Sequence, residues 1–143
     1  MKPRSQIVAT AAFERINSRK TNNSTEENKK YATIVHKLPA MILQNGLAQA
    51  TGFLLAKNED HHKELLKDLT SVFKQVNANL KNIADGEALH GEIIQSDLYQ
   101  IMRMTREALE IAGWLRRYVQ GILKIGPDGN SLEENETDKE PQV

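Results

Sequence analysis

The chain has 143 residues, no cysteine, four prolines, eight glycines and an aromatic share of only 5%. This length fits one domain, and the lack of cysteine excludes disulfides, thiolate metal sites and cysteine nucleophiles, as expected for a reducing cytoplasm. The N-terminal residues are polar and no apolar run reaches about 18 residues, so the sequence predicts neither secretion nor contact with a membrane.

The formal net charge is zero, but the charges are unevenly distributed. Residues 127–143 carry six acidic side chains and one lysine, a net charge of −5, which leaves residues 1–126 at +5. The C-terminal stretch has too little apolar surface to fold. We therefore expect a folded domain over residues 1–126 and a disordered acidic tail over residues 127–143.

The first two predicted helices lie before Pro39. Apolar residues recur at helical spacing over residues 5–19, which predicts the first helix. Ser24 and Glu27 have the spacing of a capping box, which predicts the start of the second. Because a proline ring removes a backbone donor and restricts the residues before it, we expect this second helix to end near Lys37.

The next two helices are predicted to start at Pro39 and Asp60. Pro39 suits the first position of a third helix, and Gly46 would lie on the core face of that helix. Gly46 and Gly52 each cost about 1 kcal/mol relative to alanine, which indicates either close helix packing or mere tolerance. Asp60 would cap a fourth, strongly amphipathic helix that runs to Lys81.

The last helix is predicted to be long. Asp85 and Gly86 indicate a turn, and Ser96 is expected to cap a helix that extends to about Lys124. Its predicted apolar stripe consists of Leu98, Ile101, Met102, Thr105, Leu109, Ala112, Leu115, Val119 and Leu123. No segment alternates with period two, so the fold class is all-α: a single-domain bundle of about five to six helices.

Basic residues on the last helix are the main candidate for a binding site. At 100° per residue, four of them fall within a sector of roughly 60° and extend over about 31 Å. This cationic ridge consists of Arg103, Arg106, Arg117 and Lys124. A second basic cluster consists of Arg15, Arg19, Lys20, Lys29 and Lys30. Both patterns are typical of nucleic-acid backbone contacts, but charged residues on a helix also form ordinary solvated surfaces.

Catalytic motifs are not evident in the sequence. It contains no glycine-rich phosphate loop and no serine elbow. Two Glu-x-x-His steps, Glu59 to His62 and Glu87 to His90, resemble ligands of dinuclear metal sites in helical bundles. However, Glu59 precedes the expected cap, glycines flank the second step, and adjacent histidines such as His61 and His62 point about 100° apart on a helix. We therefore expect no metal, no cofactor and no enzymatic activity.

Two segments resemble a known protein family. Residues 37–50 read Lys-Leu-Pro-Ala-Met-Ile-Leu-Gln-Asn-Gly-Leu-Ala-Gln-Ala, and residues 105–109, Thr-Arg-Glu-Ala-Leu, lead into Trp-Leu-Arg-Arg-Tyr at 114–118. In order and spacing these segments resemble the small subunit of type III-B CRISPR (Cmr) effector complexes. The acidic tail and the loop at 82–91 lie outside the resemblance.

The resemblance implies a non-catalytic subunit. Proteins of this family stack with copies of themselves beside the other Cmr subunits, and their basic side chains contact the backbone of the guide RNA and target RNA duplex. Arg106, Arg116 and Arg117 lie within the matched segments, whereas Arg103, Lys124, Arg15 and Arg19 are inferred from helical phase and charge. Arg116 falls on the predicted apolar side, where a subunit contact or a salt bridge competes with RNA contact, so we do not include it among the predicted RNA-binding residues.

Two other functions stay open from the residues alone. One is a helical protein-interaction module that does not contact nucleic acid. The other, more distant, is a dinuclear-metal bundle enzyme. Metal analysis of the purified protein would test the enzyme, and co-purification with RNA-guided partners would separate the leading interpretation from the interaction module.

Overall fold

The structure is a computed structural model that describes residues 1–57 and 59–132. This part of the chain contains six α-helices and one short 3-10 helix at Ala78–Leu80, with no extended strand. The helices are α1 (Arg4–Asn22), α2 (Thr25–Asn45), α3 (Leu47–Lys57), α4 (Asp60–Val76), α5 (Gly86–Gln95) and α6 (Leu98–Gly121). The predicted all-α bundle of five to six helices is confirmed.

The helices enclose one hydrophobic core. Helix α1 packs between α6 and α4, α2 packs against α6, α3 and α4, and α5 closes one end against α3 and α4. Every α-helix contributes buried apolar side chains to this core. The largest fully buried side chains include Tyr31, Phe73, Ile16, Leu38, Ile42, Leu65, Leu69 and Ile111. No described helix has both the length and the apolar character that crossing a bilayer requires.

Local capping signals fix several helix starts. The Ser24 hydroxyl accepts a hydrogen bond of 3.2 Å from the Glu27 backbone N–H, so the predicted start of α2 is confirmed. The predicted cap at Ser96 is wrong because Ser96 ends α5. Asp97 caps α6 instead: its carboxylate accepts from the Gln100 N–H at 2.8 Å, and the Gln100 side chain accepts from the Asp97 N–H. This reciprocal pair outcompetes a lone serine one residue earlier.

Helix α2 continues through Pro39, so the predicted end near Lys37 is wrong. An interior proline costs about 3 kcal/mol, but Leu38 and Ile42 on either side are both buried. Burial of two large aliphatic side chains contributes about 1.5–3 kcal/mol each, enough to hold the helix together. The helix ends at Gly46 instead, which is its C-cap residue and has a φ of +88°. Residues other than glycine rarely adopt this backbone conformation, so the glycine terminates α2 at this point.

Both ends of α4 differ from the prediction. Glu59, not Asp60, occupies the N-cap position, and its side chain makes no capping hydrogen bond. The helix stops at Val76 rather than Lys81. The reason is Asn77, which is buried, accepts from a backbone N–H of the 3-10 helix and donates to a buried glutamate of α6. These side-chain bonds replace the next helical turn.

The buried face of α6 is rotated about the helix axis relative to the predicted apolar stripe. Its buried residues are Met104, Glu107, Ala108, Ile111, Ala112, Leu115 and Val119. The stripe was right at Ala112, Leu115 and Val119, but wrong at the start of the helix, where Leu98 and Met102 are 74% and 57% exposed. The first half of α6 carries apolar residues on two faces about 100° apart. Packing against α1 and α2 selects the face that the sequence pattern did not favour.

The chain beyond α6 forms a turn against α2. Ile125 is buried and forms an antiparallel bridge with Ser131, its carbonyl lies 3.2 Å from a ring nitrogen of His36, and Leu132 N–H donates to the Lys124 carbonyl at 2.7 Å. The expected boundary after residue 126 falls inside this turn. Residues 133–143 of the expected acidic tail lie outside the described residues.

Candidate nucleic-acid interface

The outward face of α6 presents two exposed arginines. Arg106 and Arg117 are both exposed. They are eleven residues apart, so their side chains leave the helix within about 20° of each other. Among residues 1–57 and 59–132, no carboxylate lies within 4.0 Å of either guanidinium. Their charges are therefore available to an external anion.

Arg103 lies beside these residues but is partly used internally. Its Nε atom is 3.8 Å from a carboxylate oxygen of Glu107, which is buried in the core side of α6. Glu107 also accepts hydrogen bonds from Arg4 and, at 2.8 Å, from Asn77. The sequence pattern did not identify this buried carboxylate or its partner Arg4. A cleft of about 370 Å³ at this point is lined by Arg4, Tyr99, Arg103, Arg106, Glu107 and Glu110.

Lys124 is separated from the rest of the cationic ridge. Because α6 ends at Gly121, Lys124 lies in the following turn, with a φ of +62°. It lines a different cleft together with Lys20 and Lys29. The helical part of the ridge, from Arg103 to Arg117, therefore extends over about 21 Å rather than 31 Å.

Aromatic side chains continue the ridge at its C-terminal end. The Arg117 guanidinium lies 5.5 Å from the centre of the Trp114 ring. Trp114 stacks on Tyr118 with ring centres 5.6 Å apart and planes 27° apart, and Phe13 of α1 meets Tyr118 edge-on at 5.6 Å. A cation above an indole ring is held in an ordered position, and half-exposed aromatic faces can stack on unpaired bases.

The structure places Arg19 in the interior, where carboxylates of α4 occupy its guanidinium. Its side chain is 5% exposed, and its guanidinium donates to Asp68 at 2.6 and 3.0 Å and to Glu64 at 2.9 Å. Arg15 donates to the other Asp68 oxygen at 2.8 Å and is about one-third exposed. The Tyr31 ring lies 4.0 Å below the Arg19 guanidinium. This ionic cluster joins α1, α2 and α4.

The ionic cluster depends on Asp68, which sequence reasoning missed. Asp68 is fully buried, and the Tyr31 hydroxyl donates to it at 2.5 Å. Burial, together with this carboxylate, holds the pKa of Tyr31 well above its ordinary range, so the phenol stays protonated. One signal was available: Asp68 interrupts the apolar stripe of α4 between Leu66 and Leu69, as a charged residue does when a buried partner awaits it.

Two other predicted features take different positions. Arg116 is exposed. It was predicted to lie on the apolar side of α6, but the face of α6 that is buried differs from the predicted apolar stripe. In the Glu-x-x-His steps, Glu87 is exposed at the start of α5, and the His90 ring bonds Thr51 at 2.7 Å. Within the described residues, the potential metal-ligand group consists of Glu59, His61 and His62, so the two steps do not share one site.

The junction of α5 and α6 exposes large apolar side chains. We call this group, Ile94, Leu98, Tyr99 and Met102, the junction patch; each side chain is more than half exposed. Isolated exposed apolar residues are common, but neighbouring ones on one surface indicate a protein contact. The junction patch lies immediately N-terminal to the cationic ridge on α6.

Comparison with known proteins agrees with this architecture. The family model described as CRISPR-associated protein (Cas_Cmr5) matches residues 4–122. The chain is 30% identical over 124 residues to the CRISPR system Cmr subunit Cmr5 of Thermus thermophilus, which covers 87% of this chain and 99% of that relative. The crystal structure of a CRISPR-associated Cmr5 family protein, also from Thermus thermophilus, aligns with a TM-score of 0.69 at 30% identity, over 85% and 98% of the two chains.

These matches first define the class: a helical CRISPR-associated protein. The family match extends over nearly all of the helical bundle, from the start of α1 to just beyond α6. The chain belongs to the Cmr5 family. The resemblance to the Cmr small subunit that the two sequence segments carried is thereby confirmed.

Proposed function

We propose that this Cmr5-family chain is a non-catalytic subunit of a Cmr-type RNA-guided effector complex, and that it contacts the backbone of the guide and target RNA duplex through the outward face of α6. The observation that carries the proposal is the pair of exposed arginines, Arg106 and Arg117, with no carboxylate within reach in the described residues. The relative from Thermus thermophilus is a Cmr subunit by name, which supports membership of such a complex.

The geometry suits phosphate contact better than base recognition. The two residues are about 16 Å apart along the helix axis, a spacing that suits separate phosphates better than neighbouring base edges. RNA duplexes are recognised mainly by shape and backbone, which requires no base-specific side chains. With two or three contacts per chain, binding by one copy is weak and falls with salt, whereas stacked copies add their contacts.

The junction patch supports a contact between copies. Four largely exposed apolar side chains at one helix junction are costly to leave in water, and a second copy of this chain would cover them. Leu98, Tyr99 and Met102 of the patch precede Arg103 and Arg106 on α6, so a head-to-tail contact there would place the ridges of successive copies in series. This arrangement is the basis of the proposed stacking along the complex.

The RNA contact is tested by reversing charge at Arg106 and Arg117. In reconstituted complexes, Arg106→Glu with Arg117→Glu should incorporate normally and weaken target RNA binding by about tenfold or more. The matched control is Lys63→Glu with Lys67→Glu, the same charge change on exposed positions of α4. Normal incorporation with unchanged target binding would remove the ridge from the proposal and leave a protein-interaction module.

The copy-to-copy contact is tested at the junction patch. Leu98→Ser with Met102→Ser changes two exposed side chains, so the fold should be retained. Self-association measured by sedimentation should fall, and fewer copies should enter the complex. If self-association is unchanged but incorporation is lost, the patch binds a different Cmr subunit. If both are unchanged, the patch is not an interface.

A further inference from the structure

A basic pocket lies between α2, α3 and the start of α4, and no residue of α6 contributes to it. Its volume is about 360 Å³, and its charged or titratable residues are Lys30, Lys37, Lys57, Glu59, His61 and His62. Within the described residues, none of the three lysines has a carboxylate within 4.0 Å. The pocket therefore holds three positive charges and one negative charge before either histidine is protonated.

His62 gives the basic pocket a buried polar group that no described residue pairs with. The side chain is 5% exposed, and its Nδ1 atom makes no hydrogen bond to any described residue. Its ring meets the Phe53 ring edge-on at 5.6 Å, and the Lys57 ammonium lies 5.7 Å from the centre of that Phe53 ring. Buried polar atoms in folded proteins are nearly always bonded, so His62 retains hydrogen-bonding capacity that the described residues do not satisfy.

A metal ion is the first ligand to consider. One ligand atom from each of Glu59, His61 and His62 lies within 4.8 Å of the other two, as in an open three-ligand site. However, the two imidazole rings already pack against each other, with centres 4.2 Å apart and planes tilted by 40°. A divalent cation would also be repelled by the three lysines that line the pocket, whereas an anion would be attracted by all of them.

The helix end adds to the preference for an anion. His61 and His62 lie in the first turn of α4, whose N-cap residue Glu59 makes no side-chain capping bond. The unpaired N–H groups and the dipole of such a turn favour negative charge. Beyond His61 the surface becomes acidic, with Asp60 and Glu64, but His62 does not line that side. The cationic side is therefore the one that His62 faces.

We propose that this basic pocket binds a phosphate group, with Lys37, Lys57 and His62 as its contacts and the Phe53 ring as an apolar wall. The phosphate could be carried by the end of an RNA or by a nucleotide, and both present the same dianion. The site is separate from the α6 interface, so its test is independent of the proposed function.

The lysine charges already act on the imidazole. Burial lowers the pKa of His62 from its ordinary value, and the charges of His61, Lys57 and Lys37 lower it further, while Glu59 opposes them. A bound phosphate would reverse this balance, because an adjacent anion stabilises imidazolium. Binding should therefore raise the pKa of His62, which NMR of the histidine ring protons can follow.

The first experiment titrates the full-length protein with inorganic phosphate. Saturable shifts of the His61 and His62 signals, with a raised pKa of His62, are expected. Lys37→Gln with Lys57→Gln should weaken the affinity about fivefold or more, and the matched control Lys63→Gln with Lys67→Gln should leave it unchanged. No saturable shift, or equal weakening by both double variants, would overturn the proposal.

Glu59→Gln separates an anion from a metal by the sign of its effect. Removing this carboxylate should tighten phosphate binding, because it removes the one negative charge that lines the basic pocket. At a metal site the same change removes a ligand, so Zn²⁺ binding would weaken. Zn²⁺ binding that depends on Glu59, with no response to phosphate, would replace the proposal by a metal site.

The source of the phosphate is then distinguished with three probes. They are a nucleoside 5′-monophosphate, a short RNA with a 5′-phosphate and the same RNA without it. Tighter binding of the phosphorylated RNA than of the monophosphate assigns the site to an RNA end, and equal binding assigns it to a nucleotide. If the unphosphorylated RNA shifts His62 as strongly as the phosphorylated one, the site is not specific for a terminal phosphate and the proposal fails.

Discussion

The ionic cluster contains a buried arginine side chain, whereas the cationic ridge exposes arginine side chains to solvent. Arg19 is enclosed between α1, α2 and α4, and its guanidinium donates to two carboxylates and covers an aromatic ring. Arg106 and Arg117 project from α6 without a carboxylate within 4.0 Å in the described residues. The interior arginine is committed to the fold, whereas the surface arginines can bind a ligand.

A buried and an exposed arginine are expected to contribute differently to the free energy of unfolding. Removing one member of a buried ion pair leaves the other charge without solvent or partner, which typically costs about 3–5 kcal/mol. Exposed ionic side chains contribute about 0–1 kcal/mol to stability because water screens them. The comparison therefore predicts that stability and nucleic-acid affinity respond to different arginines.

The largest effect is expected for Arg19→Gln. This change leaves Asp68 buried with only Arg15 and Tyr31 as partners, so the free energy of unfolding should fall by about 3 kcal/mol. Urea denaturation measures the loss, and Arg106→Gln is the matched control, with an expected change within about 0.5 kcal/mol. Equal losses in the two variants would contradict the division between interior and surface arginines.

A change in side-chain volume tests whether substitutions in the interior also destabilise the protein where no charge is involved. A Cβ atom at Gly86, at the start of α5, would overlap Cγ of the buried Leu66 side chain. Gly86→Ala should therefore destabilise the protein by about 1–3 kcal/mol through overpacking. Combining it with Leu66→Ala should give a less-than-additive loss in a double-mutant cycle, and full additivity would exclude the contact as the cause.

At the surface, Arg106→Gln with Arg117→Gln should change the free energy of unfolding by less than about 0.5 kcal/mol. RNA duplex affinity should nevertheless fall, and the slope of log affinity against log salt should decrease by about 2, one for each lost phosphate contact. Filter binding over a salt series measures both. A large stability loss with an unchanged slope would show that these arginines serve the fold.

The smallest effect is expected from pH. Burial is the main cause that lowers the pKa of both His36 and His62 from 6.5, so the unfolded chain binds protons that the folded chain does not. Their contribution to stability is complete above about pH 6.5 and decreases as the pH falls below it. Unfolding in a buffer without phosphate should show this decrease, and His36→Gln with His62→Gln should reduce the pH dependence.

Much of the bundle could be predicted because its signals are local. The cap at Ser24, the amphipathic pattern of α4 and the absence of period-two alternation all act within a few residues, and the structure agrees with each. The common face of Arg106 and Arg117 could also be predicted, because spacing on one helix sets the direction of both side chains. The RNA contact itself stays a prediction.

Features that depend on packing between helices distant in the sequence could not be predicted from local patterns. The sequence determined a helical fold, the capped start of α2 at Ser24 and an excess of basic charge before residue 127. Only the tertiary structure decided that α2 continues through Pro39, which face of α6 is buried and that Arg19 lies inside while Arg106 lies outside. Each of these depends on the apolar area or the buried carboxylate that another helix supplies, and a local pattern contains no information about that partner.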